Sequence, residues 1–124
     1  MRRYKVTVTT AADGTVTAFS PRISGKIHSI NYVKDTGGNA YTDGVDFAIT
    51  SEQTGENILT KADVNASAVF YPRAPTHSQA GVAALYAAAG TAVQDKVAVS
   101  NDRVKIVLAA GGNAKVGVFH ILVD

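Results

Sequence analysis

The residues best equipped for chemistry in this chain are three histidines, His28, His77 and His120, together with scattered carboxylates and hydroxyls. A metal site or proton relay of recognisable type places such groups at HxxxH or HxH spacing, and these histidines have neither. No carboxylate stands close enough in sequence to suggest a pair, so each histidine is read as a satisfied or solvent-facing side chain. Asp43-Gly44-Val45-Asp46 resembles the start of a calcium loop but lacks the further oxygen ligands and the closing glutamate, and reads instead as a turn leading into a strand. Thr36-Gly37-Gly38-Asn39 and Ala110-Gly111-Gly112-Asn113 lack the lysine of a phosphate-binding loop, and no serine sits in GxSxG. Asn65-Ala66-Ser67 fits a glycosylation sequon, a pattern that is common by chance. With no cysteine, disulfides, thiolate nucleophiles and cysteine-based metal sites are excluded. The expectation is a protein without catalytic, metal or cofactor-binding residues.

The elements that would position any site are strands. Val97 and Val99 alternate with Lys96 and Ser100, and Val104, Ile106 and Leu108 alternate with Arg103 and Lys105, the period of a strand with one buried face. Ser100-Asn101-Asp102 and Gly111-Gly112-Asn113 are the expected reversals between such strands. The closing run differs: Val118 and Leu122 share one face with His120, while Phe119, Ile121 and Val123 share the other. A strand apolar on both faces is covered twice, inside a sandwich or at a subunit contact. Nearer the start, Tyr4, Val6 and Val8 alternate with Arg3, Lys5, Thr7 and Thr9; Asp13-Gly14 predicts a hairpin to residues 15–20, and Pro21 is expected to end it. Residues 23–34 read as a long strand whose apolar phase slips between Ile27 and Ile30, which predicts a bulge near His28-Ser29. Residues 35–44 read as a loop. Val45, Phe47 and Ile49 form a one-faced strand that turns at residues 53–56 into a partner over 57–61, and residues 64–71 are a further strand candidate.

Eight or nine short strands with turns between them predict an all-β, antiparallel sandwich or jelly-roll-like domain spanning residues 1–124. Val6, Val8, Phe47, Ile49, Val97, Val104, Ile106 and Phe119 are its expected core. The composition agrees: 46% of residues are hydrophobic and 18% charged, enough apolar surface for one core and too little charge for a disordered tail. No run approaches the ~20 apolar residues of a membrane helix, and no signal-peptide core follows Met1. A net charge of +2 is too small to imply a nucleic-acid surface. Only Arg2, Arg3 and Lys5 cluster, and Arg3 and Lys5 share a face with Thr7 and Thr9, which reads as a solvated sheet face. Neither nucleic acid nor membrane is an expected partner.

One stretch breaks the strand pattern. From Tyr71, Pro72 and Arg73 the chain enters GVAALYAAAGTAV, in which Val82, Leu85, Tyr86 and Ala89 have the spacing of one helical face, with Ser78 upstream as a cap. The two prolines and the small residues fit an irregular, extended arm over about 71–94 equally well. Either way the run is too short for a stable isolated helix and too apolar to lie free. Tyr71, Pro72, Arg73, Val82, Leu85, Tyr86 and Ala88 are therefore the expected interface residues. The alternative is that this segment folds back and caps its own sandwich.

YVKD, DGVDFAIT, TGENIL, VNASAVFYPRAPTH, AALYAAAGTAV, NDRVKIVLAAGGNAK and VFHILVD together resemble a family of small tailed-bacteriophage virion structural proteins, over nearly the whole chain. These are framework and loop segments that mark a family and no site. The resemblance implies a non-enzymatic virion component present in many copies, a capsid decoration protein or a collar or neck component. Its partners would be itself, as a homo-oligomer, and other virion proteins such as the major capsid or neck proteins. The alternative is a phage tail or receptor- or carbohydrate-binding sandwich, for which the absence of tryptophan and the apparent core placement of most aromatics give little support.

Overall fold

A computed structural model describes all of residues 1–124. It contains eight strands and no helix, so no helix is long and apolar enough to cross a membrane. The strands are β1 (Arg2–Thr9), β2 (Val16–Lys34), β3 (Val45–Ser51), β4 (Asn57–Val64), β5 (Ala68–Phe70), β6 (Arg73–Pro75), β7 (Gln94–Ala109) and β8 (Val116–Val123). Their order is β1-β8-β2-β7-β3-β4, with β5 added beside β2 and β6 beside β7, and every pairing is antiparallel.

The sheet doubles into two layers because β2 serves both. Its first half pairs with β7, as far as Ile27 opposite Val97. Its second half pairs with β8, starting with Ile27 opposite Val123. Gly25 sits at this corner with φ of +133°, and a Cβ there would stand 2.4 Å from the carbonyl oxygen of Asp124, so only glycine lets the strand bend so close to its neighbour. The register slips between Ile27 and Ser29, the bulge that the phase change in the sequence predicts. Strands that pass between sheets through such bends make the corners of sandwiches.

Between the layers lie the eight expected core residues, all buried, with Ile23, Ile27, Ile30, Tyr32, Leu108 and Ile121 among others. Phe47 of one layer contacts Tyr32 and Phe119 of the other edge-on, with ring centroids 5.0 and 5.1 Å apart. Tyr41 stacks on Tyr32 at 5.9 Å, and its hydroxyl donates to the carbonyl of Val8 at 2.5 Å. One aromatic thus pins the 35–44 loop to the sandwich, and burial pushes its phenol well above the usual tyrosine range.

Several expectations about connections are corrected. The segments on either side of Asp13-Gly14 do not form a hairpin: β1 pairs with β8 over its whole length, and residues 16–19 pair with β7. Pro21 does not end a strand. It lies in a register shift between Phe19 and Arg22, where the ladder is already interrupted and a missing N–H costs nothing. Ser100-Asn101-Asp102 is no reversal either; β7 runs through it, with Asn101 at φ 46° beside a second register shift. The loop at 111–113 is present, but it joins strands on opposite sides of β2. The candidate strand at 64–71 is divided between the end of β4 and the short β5.

A buried polar cluster holds these interruptions together. Asp102 is buried and accepts from the Ser51 hydroxyl at 2.5 Å, the Gln53 amide at 3.1 Å and the Arg103 amide at 2.8 Å. Ser20 accepts from the Val104 amide at 2.9 Å and donates to the Pro21 carbonyl at 2.8 Å. Side chains here replace the ladder bonds that the bulges remove. Arg103 closes the cluster, paired through two nitrogens with Glu52 and stacked 4.1 Å from the Phe19 ring centroid.

Candidate interaction surface

The arm grows out of the β6–β7 ribbon. Arg73, Ala74 and Pro75 pair with Lys96, Asp95 and Gln94, and the Thr76 amide extends the ladder to the Val93 carbonyl at 2.8 Å. Beyond this point the ribbon opens into two small lobes around Ala84, whose amide donates to Thr76 at 3.0 Å and whose carbonyl accepts from Val93 at 2.9 Å. The first lobe is closed by the Ser78 amide on the Val82 carbonyl at 2.8 Å, with the Val82 amide donating to the Ser78 hydroxyl at 3.2 Å. The second is closed by Tyr86 on Thr91 at 3.0 Å and Gly90 on Ala87 at 2.8 Å, with Ala89 left-handed at φ 57°.

The extended-arm alternative is thus the one observed, and the helical one is not. The apolar spacing of Val82, Leu85, Tyr86 and Ala89 suited a helix, but a helix of this length needs a surface to pack on. Here the backbone satisfies itself in turns, and the Ser78 hydroxyl serves one of them.

The structure divides the expected interface residues into two groups. Val82, Leu85 and Tyr86 are 65%, 44% and 75% exposed, Ala88 is exposed beside them, and Tyr71 at the root of the arm is 60% exposed. Pro72 is buried and Arg73 half-buried, and they act as an anchor. The Arg73 guanidinium donates to the carbonyls of His28 at 3.1 Å and Pro72 at 2.7 Å, and lies 5.9 Å from the Tyr71 ring centroid. His28 meets the same ring edge-on at 6.0 Å. Ion pairs brace the other side of the root: Lys26 with Asp95 at 3.3 Å, and Lys96 with Asp124. The Lys96 amide, and then Lys26, hold the Asp95 carboxyl below its usual range, and Lys96 does the same for Asp124. Sequence reasoning missed this anchor because its partners are far apart in the chain, with a sequence separation of 45 between Arg73 and the carbonyl it grips.

The three histidines fall in three places: His28 at the arm root, His77 exposed on the arm, and His120 half-buried on the outer face of β8. No three His, Cys, Asp or Glu side chains gather as a metal site would require. Two surface depressions, of about 200 and 280 Å³, each bring one lysine near one aspartate: Lys34 with Asp35, and Lys61 with Asp46. The arm is the surface with the least ordinary chemistry, since residues 76–93 carry no charged side chain apart from any charge on His77.

No family model matches the chain, and no curated protein does. Among solved structures it is similar to one described as "Crystal Structure of FLHE", with a TM-score of 0.43 and 10% identity over 97% of this chain and 94% of that one. A likeness at that level carries no argument about function.

Proposed function

We propose that this protein is a non-enzymatic structural component of a tailed-bacteriophage virion, of the capsid decoration or collar type, which associates with copies of itself and with other virion proteins through its arm. The observation that supports this reading best is the exposure of Val82, Leu85 and Tyr86 on one uncharged segment whose shape is set mainly by backbone hydrogen bonds within it. Three large apolar side chains left exposed within five residues offer apolar area that a partner could cover. Covering them returns roughly 25 cal/mol per Å². The resemblance of the sequence to virion proteins supplies the class of assembly.

Sedimentation velocity on the wild type and on Leu85→Asp and Ala88→Asp tests the arm. The wild type should associate with rising concentration and bind purified phage heads or necks, and the variants should be folded monomers that do neither. A wild type that stays monomeric at high concentration and ignores such particles overturns the reading.

A further inference from the structure

The sheet ends in two long edges of different construction. The β4 edge is interrupted: its pairing with β3 shifts register twice, between Val45 and Phe47 and between Ile49 and Thr50, and Asp63 is left-handed at φ 57°. Bulges of this kind keep an edge from accepting another strand. β1 has none, and its eight residues face β8 in unbroken register from Arg2–Val123 to Thr9–Val116.

The direction of the free hydrogen-bonding groups of β1 follows from its neighbours. The Thr10 amide donates to Lys115 at 2.8 Å, while Val116, opposite Thr9, donates away from β1 to Asn39 at 2.8 Å. By the alternation of an antiparallel ladder, the even-numbered residues of β1 bond to β8, and the N–H and C=O groups of Arg3, Lys5, Thr7 and Thr9 point outward, unpaired. Arg2, Arg3 and Lys5 are exposed on this strand, and none takes part in an ion pair.

We propose that the free edge of β1 is a docking site for an extended, acidic segment of a partner protein, which adds to the sheet as a further antiparallel or parallel strand. Backbone groups would supply affinity and side chains the selection. On the inner face the added strand would lie beside half-buried Tyr4 and buried Val6 and Val8; on the outer face it would lie beside Arg3, Lys5 and Thr7. The matching segment alternates apolar residues with Asp or Glu, because opposite charges on neighbouring strands attract and like charges repel. The field at this edge is already felt inside the sheet: burial first, and then the Arg3 and Lys5 charges, hold His120 below the usual histidine range. A second copy is a poorer occupant. Its β1 would bring more cations into one ladder, and its β4 is bulged and carries Lys61.

The test uses the full chain and an N-acetylated octapeptide alternating valine with glutamate, with a valine–lysine peptide as control. The glutamate peptide should slow amide exchange at Arg3, Lys5, Thr7 and Thr9, and the lysine peptide should bind about tenfold or more weakly. Thr7→Pro removes one outward N–H from an edge position that tolerates proline, and should abolish binding with the fold intact. The Arg3→Glu, Lys5→Glu double variant leaves the backbone alone and should reverse the preference between peptides. Leu85→Asp should bind the glutamate peptide as the wild type does, which separates this site from the arm. The proposal is overturned if neither peptide protects these amides at millimolar concentration, or if both do so equally. Protection of the same amides in concentrated protein without peptide would assign the edge to a second copy and would also overturn it.

Discussion

In the body of the sandwich Phe47 is 1% exposed and wedged between aromatic rings of the opposite layer, whereas Tyr86 on the arm is 75% exposed. Both regions are rich in apolar residues. The body buries them by bringing together strands remote in sequence, and the arm satisfies its backbone locally and leaves its side chains outside. Tertiary packing therefore fixes the body, while turn geometry fixes the arm. A substitution should cost stability in the first region and association in the second.

The largest break in that contrast should come from Phe47→Ala, which empties the contact between layers and should cost about 3–5 kcal/mol in chemical denaturation. A variant as stable as the wild type would mean that the layers do not meet there. Gly25→Ala should come next: it places a methyl group against the Asp124 carbonyl at a backbone angle disfavoured for alanine, with an expected loss of about 1–3 kcal/mol. Its signature should be faster amide exchange on both sides of the corner.

The buried carboxylate gives a smaller and pH-dependent effect. Hydrogen bonding from Ser51, with the Gln53 and Arg103 amides, holds the folded Asp102 below the ordinary aspartate range. A depressed folded pKa contributes stability that is present above the unfolded pKa of about 3.9 and is lost as pH falls through the folded value. The melting temperature of Asp102→Asn should therefore fall below that of the wild type at neutral pH, and the gap should narrow in acid below about pH 4. A gap that is the same at every pH would rule out the carboxylate charge as its cause.

On the arm, Ala89→Gly relieves a left-handed alanine and should change stability by no more than about 0.5 kcal/mol, in the stabilising direction, because added chain entropy offsets part of the gain. Leu85→Asp should stay within about ±0.5 kcal/mol, as surface substitutions do. If it unfolds the protein, the arm is packed on its own body and the contrast fails.

What the sequence disclosed follows the same division. The alternation of Val45, Phe47 and Ile49 gave the strand, its face and its turn to β4, because one period and one nearby turn decide all three. The slip at Ile27 and Ile30 disclosed the bulge for a similar reason. Pro21 and Ser100-Asn101-Asp102 misled because proline and small polar residues serve in bulges as well as in turns, and only the partner strand distinguishes the two. The pairing of β1 with β8 was hidden, since a hairpin to the next segment satisfies the same alternation. At the arm, the exposed residues could be picked out by their chemistry, but the grip of Arg73 on His28 depends on a carbonyl that every residue possesses.

The long β2 also sets a schedule for folding. Both layers are built on it, and both wait for strands that the ribosome makes much later: β7 for its first half and β8 for its second. β1 is made before the other strands and its partner β8 after all of them; Thr10, just beyond β1, bonds to Lys115 across a sequence separation of 105 residues. Closing loops of that size makes non-local sheets slow to form. For that interval a nascent chain presents β1 and β2 with unsatisfied backbone along both sides, the condition under which strands pair with the wrong neighbour. Mutual repulsion between the cations of β1 would then oppose pairing between unfinished chains. Refolding yield should accordingly fall with rising protein concentration, and fall further when Arg2, Arg3 and Lys5 are neutralised; a yield indifferent to both would dissociate those charges from the folding problem.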